Sequence, residues 1–345
     1  MKQRIGYIDM AKGLAIILVI IGHISFTPEL AKVLLYLFHI PLFFFLSGFT
    51  FSIKKYSSFR SFFWAKVKTI VIPYFVLNIF VYLVQLFVMY PEQATSFNMI
   101  QFVSRVIFSD RLHEYFQLWF LNVLFISEIV SYFVIKNKKG FGYWVAIFTL
   151  LIVGVYAGQK VYQWNWILFW NWDLVPAATV FLLLGYLCKE NLPKIEMVLK
   201  AWYLPIAGVL CVAIGLLNYK LSGNLRVDLY YEHIGNHLLF YISAICGIWA
   251  TLIFFKVIPE WDLLKSIGQK TLIYYGVHSP IVLVLVEKLV TSISTKYNGI
   301  FVNGYVTSTV TTILTIIGCE LIVQIFRGTN FPFGLKMIGE KNEQK

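Results

Sequence analysis

The chain has 345 residues, of which 59% are hydrophobic and 13% charged, with a formal net charge of +12. A soluble protein of this size needs more polar surface than this composition supplies, which argues against a soluble enzyme. In a membrane protein the positive charge reflects the basic loops, and we expect no nucleic-acid partner. The four cysteines lack CxxC spacing and histidine neighbours, so we expect neither a disulfide framework nor a metal site.

Ten apolar stretches have the length of a helix that crosses a bilayer. The first follows Lys2 and Arg4, but Lys12 interrupts it and no cleavage site follows, so we interpret it as a retained helix. The predicted spans are 10–27, 33–53, 70–90, 117–135, 141–157, 173–188, 201–217, 237–255, 271–290 and 304–326. We therefore predict an all-α polytopic membrane protein, with a single integral membrane domain over 1–330 and a short cytoplasmic tail over 331–345.

The basic residues predict how these spans are oriented. An even number of helices places both termini on one side of the membrane. If that side is the cytoplasm, 21 of the 29 lysines and arginines fall in cytoplasmic segments. We expect a multi-pass protein of a bacterial cytoplasmic membrane. The segment 54–69 mixes bases with aromatic residues, which is typical of an interfacial anchor helix and also suits a site for an anionic cytoplasmic ligand.

Ionisable side chains at bilayer depth are rare and usually functional. Here they are His23, His39, Glu128, His278 and Glu320.

Lys12 and His23 lie eleven residues apart on the first helix, so they share one face with about 16 Å between them along the axis. A long ligand that is anionic at one end and reactive at the other could lie along this face. An ion pair between Asp9 and Lys12 is the structural alternative for the lysine.

Two of the histidines precede a proline that breaks a helix. His39 is followed by Ile40-Pro41, and the short connection before it places His39 near His23 at similar depth. Its side chain either satisfies the broken turn or has a functional role. His278 precedes Ser279-Pro280 and has the same two interpretations. The glutamates are either buried partners of the histidines or caps of internal polar groups.

The connection between the fifth and sixth spans is rich in tryptophan. It contains Trp164-Asn165-Trp166 and Trp170-Asn171-Trp172-Asp173. Such a cluster is typical of the aromatic belt at a membrane interface. The interleaved amide and carboxylate groups would also suit a sugar site, with aromatic rings beneath the sugar and polar groups at its hydroxyls.

Four stretches together resemble the membrane acyltransferase-3 family, which includes bacterial glycan O-acetyltransferases. They are Tyr7-Ile-Asp-Met-Ala-Lys-Gly13 with Gly22-His23, Phe38-His-Ile-Pro-Leu-Phe-Phe-Phe-Leu-Ser-Gly-Phe49, Leu118-Trp-Phe-Leu121 and His278-Ser-Pro280. The resemblance covers essentially the whole chain, and it implies an integral membrane enzyme that uses acyl-coenzyme A.

The resemblance also implies roles for individual residues. In the family a basic residue that precedes a histidine by eleven positions helps to hold acyl-coenzyme A, and the histidine acts in acyl transfer; here these are Lys12 and His23. A paired-arginine motif before the third helix corresponds to Lys66 and Lys68, which as lysines lose the bidentate fork of arginine. Arg4 is a further candidate contact to coenzyme A.

We therefore predict transfer of an acyl group, with acetyl expected, from cytoplasmic acyl-coenzyme A to a hydroxyl of a cell-envelope glycan or lipid-linked saccharide. His23 would be the general base, oriented by Glu128 or His39, or would form an acyl-histidine intermediate. The candidate acceptor-binding residues are Trp119, Trp166, Asp173 and His278. The alternatives are a polysaccharide exporter or proton-coupled transporter, and a membrane sensor or anchor.

Overall fold

The computed structural model describes residues 5–89, 98–109, 118–138, 140–164, 166, 168–297 and 303–328. Arg4 and the predicted tail over 331–345 lie outside these ranges. Within them the chain is helical, and the described residues form no strand; the sole extended pairing there is an isolated bridge between Asp228 and His233. The predicted all-α class is confirmed.

The helices follow one another closely along the chain. They are α1 (Gly6–His23), α2 (Glu29–Tyr36), α3 (His39–Thr50), α4 (Phe59–Lys66), α5 (Ile72–Val84), α6 (Met99–Phe108), α7 (Trp119–Lys136), α8 (Phe141–Gln163), α9 (Val175–Glu190), α10 (Leu192–Val198), α11 (Tyr203–Leu221), α12 (His237–Val257), α13 (Asp262–Gln269), α14 (Thr271–Val277), α15 (Val284–Lys296) and α16 (Gly304–Gly328). Wider π-helical turns occupy Val67–Val71, Gln85–Met89 and His278–Leu283, and a 3₁₀ segment occupies Phe169–Leu174.

Ten continuous helical stretches in the described ranges are long and apolar enough to cross a membrane. They are Gly6–His23, Glu29–Thr50, Phe59–Met89, Trp119–Lys136, Phe141–Gln163, Phe169–Glu190, Tyr203–Leu221, His237–Val257, Thr271–Lys296 and Gly304–Phe326. Each overlaps one predicted span, so the predicted number of about ten transmembrane helices is confirmed. The second span is broken at Leu37 and Phe38, where α2 ends and α3 begins.

Burial separates central from peripheral spans. In the most apolar part of the spans Trp119–Lys136 and Phe169–Glu190, 72% of the residues are buried inside the protein, against 11% in Phe141–Gln163 and 22% in Tyr203–Leu221. The first two therefore lie in the middle of the bundle, and α8 and α11 lie at its edge, where apolar side chains face lipid.

Two glycines let α3 and α9 approach each other closely. A Cβ atom at Gly48 would overlap the backbone carbonyl of Leu182, and one at Gly185 would overlap the carbonyl of Phe45. Small residues at such contacts allow the backbones of membrane helices to pack tightly. This contact holds the segment that carries His39 against the central helix α9.

Consecutive spans run in opposite directions, so the helix ends sort onto two sides. His23 ends α1, and α8, α11 and α15 end on this same side, which we call the His23 side. Lys12 lies in the first half of α1, nearer the opposite side, which we call the Lys12 side. An ion pair of 3.2 Å between Arg226, which follows α11, and Glu29, which begins α2, joins two segments of the His23 side directly.

Candidate active site

His23 is the last residue of α1, and its imidazole is exposed. Its Nδ1 lies 2.8 Å from the carbonyl oxygen of Val19. A carbonyl can only accept a hydrogen bond, so Nδ1 carries the proton and Nε2 carries the lone pair. The helix therefore holds the ring in one orientation and one tautomer, with the basic nitrogen available to a substrate.

His278 packs against His23 although 255 positions separate them in the sequence. The ring centroids are 5.1 Å apart and the planes meet at 79°. His278 is fully buried, and its Nδ1 donates to the carbonyls of Tyr274 and Tyr275 at 3.0 and 2.9 Å. Within the described part of the chain its Nε2 has no hydrogen-bond partner. His278 also begins a π-helical segment, and such segments are frequent at functional sites.

His39 is the third histidine of this cluster. It is 3% exposed, begins α3 and donates from Nδ1 to the carbonyl of Leu35 at 2.9 Å, across the break between α2 and α3. This bond serves the structural interpretation of His39, since it gives the Leu35 carbonyl a donor where the helix is interrupted, and it leaves a functional role for the ring open. His39 also interacts electrostatically with His23, so the histidines predicted to be neighbours are close.

Cationic and aromatic groups surround the three histidines. The Tyr36 ring packs against the His39 ring at 4.7 Å, and the guanidinium of Arg226 lies 4.3 Å from the centre of the Tyr36 ring. Lys32 interacts electrostatically with His23.

Arg226 also pairs with Asp228 at 3.4 Å. Burial raises the pKa of the Asp228 carboxyl above its usual range, against the opposing effect of Arg226.

Glu128 lies elsewhere in the bundle. Its carboxylate pairs with the ammonium of Lys66 at 2.8 Å, and the two side chains are 6% and 16% exposed. The aromatic rings of Phe51 and Phe62 lie within 5.8 Å of the same ammonium. The hypothesis that Glu128 orients His23 is therefore wrong for this structure, since a buried charge takes the nearest counter-charge. Lys66 is likewise engaged inside the protein rather than in an open anion site.

Lys68 and Arg60 face an open groove on the Lys12 side. The groove has a volume of about 470 Å³ and is lined by Ser58, Ser61 and Trp64 as well as by these two cations. Ser58 caps α4, accepting a hydrogen bond from the backbone N–H of Ser61 at 3.2 Å. Of the two lysines in the predicted motif, Lys68 alone lines this groove.

Lys12 is half-buried on α1. Its proposed neighbour Asp9 accepts a hydrogen bond from Gln269 of α13 at 3.3 Å, so the carboxylate has a partner besides any nearby lysine.

Glu320 is paired too, with Lys270 at 2.7 Å and with the hydroxyl of Tyr274 at 3.0 Å. It therefore connects α14 to α16 and is not the partner of a histidine.

The predicted acceptor residues are dispersed. Trp119 is 8% exposed, with its ring 5.8 Å from that of Tyr230. Trp166 is 63% exposed at the end of α8, as an interfacial tryptophan is, and Asp173 is 5% exposed at the start of the sixth span. His278 alone among the four contacts His23.

Sequence reasoning missed Lys32, Tyr36 and Arg226 as neighbours of the histidines. Each is an ordinary residue of a loop or helix end in the sequence. Arg226 lies in the polar segment 222–236, and nothing in the composition of this segment places it over α2. Only the folded contacts do that.

The comparison with protein families identifies the domain to which these residues belong. The family model described as an acyltransferase domain matches residues 5–323, which include the three histidines, Lys12 and the Lys66–Glu128 pair. Comparison with curated proteins and with solved structures gives no significant match. Because the family model covers nearly the whole chain and the helices span a membrane, this protein belongs to the acyltransferase-3 family of integral membrane acyltransferases.

Proposed function

We propose that this protein transfers an acyl group, with acetyl as the expected group, from acyl-coenzyme A to a hydroxyl of a cell-envelope glycan or lipid-linked saccharide. The observation that carries the proposal is the state of His23: an exposed imidazole whose Nδ1 is fixed on Val19 and whose Nε2 is left as a base. Such a base suits the activation of a hydroxyl near neutral pH.

In the proposed reaction Nε2 of His23 takes the proton of the acceptor hydroxyl as its oxygen attacks the thioester carbonyl. The tetrahedral intermediate then collapses, the carbon–sulfur bond breaks and an ester forms. The departing thiolate takes the proton from the His23 imidazolium, which regenerates the base and releases free coenzyme A. His278, packed against the ring, keeps His23 in place during these steps.

The donor is proposed to enter from the Lys12 side. Arg60 and Lys68 in the open groove, together with Lys12, supply cations for the phosphates of coenzyme A. Lys12 lies on the helix face that leads to His23, so the pantetheine arm would run along α1 towards the base. The excess of basic residues on this side supports its being the cytoplasmic side of a bacterial membrane.

Replacing Lys12 with glutamine should weaken binding of acetyl-coenzyme A. Loss of one charge-assisted phosphate contact costs about 1.5–3 kcal/mol, roughly ten- to over a hundredfold in affinity. Calorimetric titration of the purified protein measures the effect. Lys54→Gln is the matched control, because Lys54 lies exposed on the same side in an ion pair with Glu190, outside the groove.

If Lys12 has only a structural role, a different result is expected. If it only neutralises Asp9, the double variant Asp9→Asn with Lys12→Gln regains full affinity for the donor. That recovery would contradict a donor contact. If Lys12 binds a phosphate, the double variant stays as weak as the single one, and dephospho-coenzyme A identifies whether the 3′-phosphate is involved.

The orientation is tested by thiol labelling in intact cells. In a variant whose four cysteines are replaced by alanine, Ser57→Cys on the Lys12 side should resist an impermeant maleimide, while Lys220→Cys at the end of α11 should react. Both positions are exposed, so both should react once the cells are permeabilised. Labelling of Ser57→Cys in unbroken cells would place the donor entrance outside and contradict the proposed direction of transfer.

A further inference from the structure

The His23 side has a second polar site, distinct from the histidine cluster. It is a pocket of about 390 Å³ between the end of α8 and the segment 222–236 that follows α11. Its polar lining comes from Gln159, Tyr162, Gln163, Ser222, Glu232 and His233. The family resemblance assigned nothing to these residues, and the acyl-transfer chemistry at His23 does not use them.

Hydrogen bonds fix the wall of this pocket. The side chain of Gln159 donates to the carbonyl of Glu232 at 3.0 Å, and that of Asn218 donates to the carbonyl of Ile234 at 2.9 Å. Asp228 and His233 exchange two backbone hydrogen bonds of 2.7 and 2.9 Å. These hydrogen bonds fix the loop, so its side chains are presented in defined positions, as a preorganised binding site requires.

The backbone here is held in conformations that side chains rarely adopt. Glu232 has a φ of +53° and is 7% exposed, and Gly235 has a φ of +63°. A left-handed glutamate costs free energy, and such residues concentrate at functional sites. Here the strain places a carboxylate in the wall of the pocket.

The chemistry of the lining fits a saccharide. A carboxylate accepts hydrogen bonds from sugar hydroxyls, and two carboxamides can both accept and donate them. The exposed His233 ring lies 6.4 Å from the Tyr162 ring and 6.1 Å from the Tyr231 ring, which provides aromatic faces for the C–H surface of a sugar. The apolar lining is limited to Leu225 and Ile234, so an acyl chain would find little surface to bury.

The pocket is joined to the histidine cluster through its own loop. Arg226 of this loop lies over Tyr36, which packs on His39, and Tyr230 contacts Trp119. The segment that forms the pocket wall therefore reaches Tyr36, which packs on His39 of the histidine cluster, and Trp119 at the start of α7. A chain of sugar units bound in the pocket could extend over this segment towards the exposed imidazole.

We propose that this pocket binds a saccharide unit of the acceptor, next to the unit whose hydroxyl reaches His23. The inference rests on the proposed function, since it places a binding site for one unit of that reaction's saccharide acceptor. It makes Gln163, Glu232 and His233 specificity-determining residues for the acceptor.

The test is a binding measurement without donor, so its outcome does not depend on acyl transfer. Water-soluble tetrasaccharides of hexose, N-acetylhexosamine and hexuronate are titrated into the purified protein in lipid nanodiscs. At least one should bind, and the double variant His233→Ala with Gln163→Ala should raise its Kd roughly tenfold or more, since two hydrogen-bonding groups are lost. Both side chains are exposed, so the double variant should have the same unfolding temperature as the wild-type protein.

Tyr297→Ala is the control, because Tyr297 is 59% exposed at the end of α15 and does not line the pocket. Its Kd should equal that of the wild type. Absence of binding by all three tetrasaccharides, or an unchanged Kd in the double variant, would overturn the pocket proposal. If the wild-type protein binds a tetrasaccharide in this way but releases no coenzyme A from acetyl-coenzyme A, the pocket proposal stands and the proposed acyl transfer is contradicted.

Discussion

His23→Ala should lower acyl transfer by about 10²- to 10⁴-fold, which is the usual value of a positioned general base. Its effect on donor affinity should be small, because Lys12 and the basic groove lie towards the other end of α1. The measurement is coenzyme A release and ester formation by the purified variant, together with a calorimetric Kd for acetyl-coenzyme A.

Two further variants sharpen this result. His23→Gln keeps a polar side chain of similar reach but no base, and it should be as inactive as the alanine variant. His237→Gln is the control, since His237 begins α12 on the same side and stacks on Tyr156 at 3.8 Å, outside the cluster. Wild-type turnover in His23→Ala would remove this residue from the mechanism. If acid quenching traps an acyl-histidine, His23 takes part in the reaction as a nucleophile and not as a base.

Glu128→Ala should destabilise the protein by about 3–5 kcal/mol, because it leaves the ammonium of Lys66 buried without a counter-charge. Thermal or denaturant unfolding in detergent micelles measures this loss. The double variant Glu128→Leu with Lys66→Met should recover most of the stability, since replacing both charges by apolar groups of similar size removes the unpaired ion.

The double variant also separates a structural pair from a donor site. If the ion pair of Lys66 and Glu128 serves only to hold α4 against α7, the stable double variant should keep its affinity for acetyl-coenzyme A. If the double variant is stable but binds acetyl-coenzyme A more weakly, Lys66 contributes to donor binding. If Glu128→Ala is as stable as the double variant, Lys66 and Glu128 do not form a buried ion pair.

The spans and their number follow from the sequence because lipid allows few solutions. A backbone that crosses a bilayer must satisfy its hydrogen bonds within the helix, so apolar length alone identifies each span. The proline two residues after His39 predicts an interrupted helix near this histidine, and α2 and α3 are indeed separated at Leu37 and Phe38.

The pairing of the buried charges was not predictable in this way. Lys66 and Glu128 are 62 positions apart, and His23 and His278 are 255 apart, so their contacts depend on which helices are neighbours. That arrangement is set by packing details such as the glycines between α3 and α9. The sequence left each glutamate as the partner of a histidine or the cap of an internal polar group, whereas in the folded protein each pairs with a lysine.

The most direct test of acyl transfer uses the purified protein in lipid nanodiscs with acetyl-coenzyme A and a saccharide acceptor. Free coenzyme A and base-labile acetyl ester on the saccharide should form in equal amounts with wild type and not with His23→Ala. If neither product forms with the wild-type protein, while the same protein in proteoliposomes moves a saccharide across the bilayer in response to a proton gradient, the account of His23 as the base of an acyltransferase is contradicted.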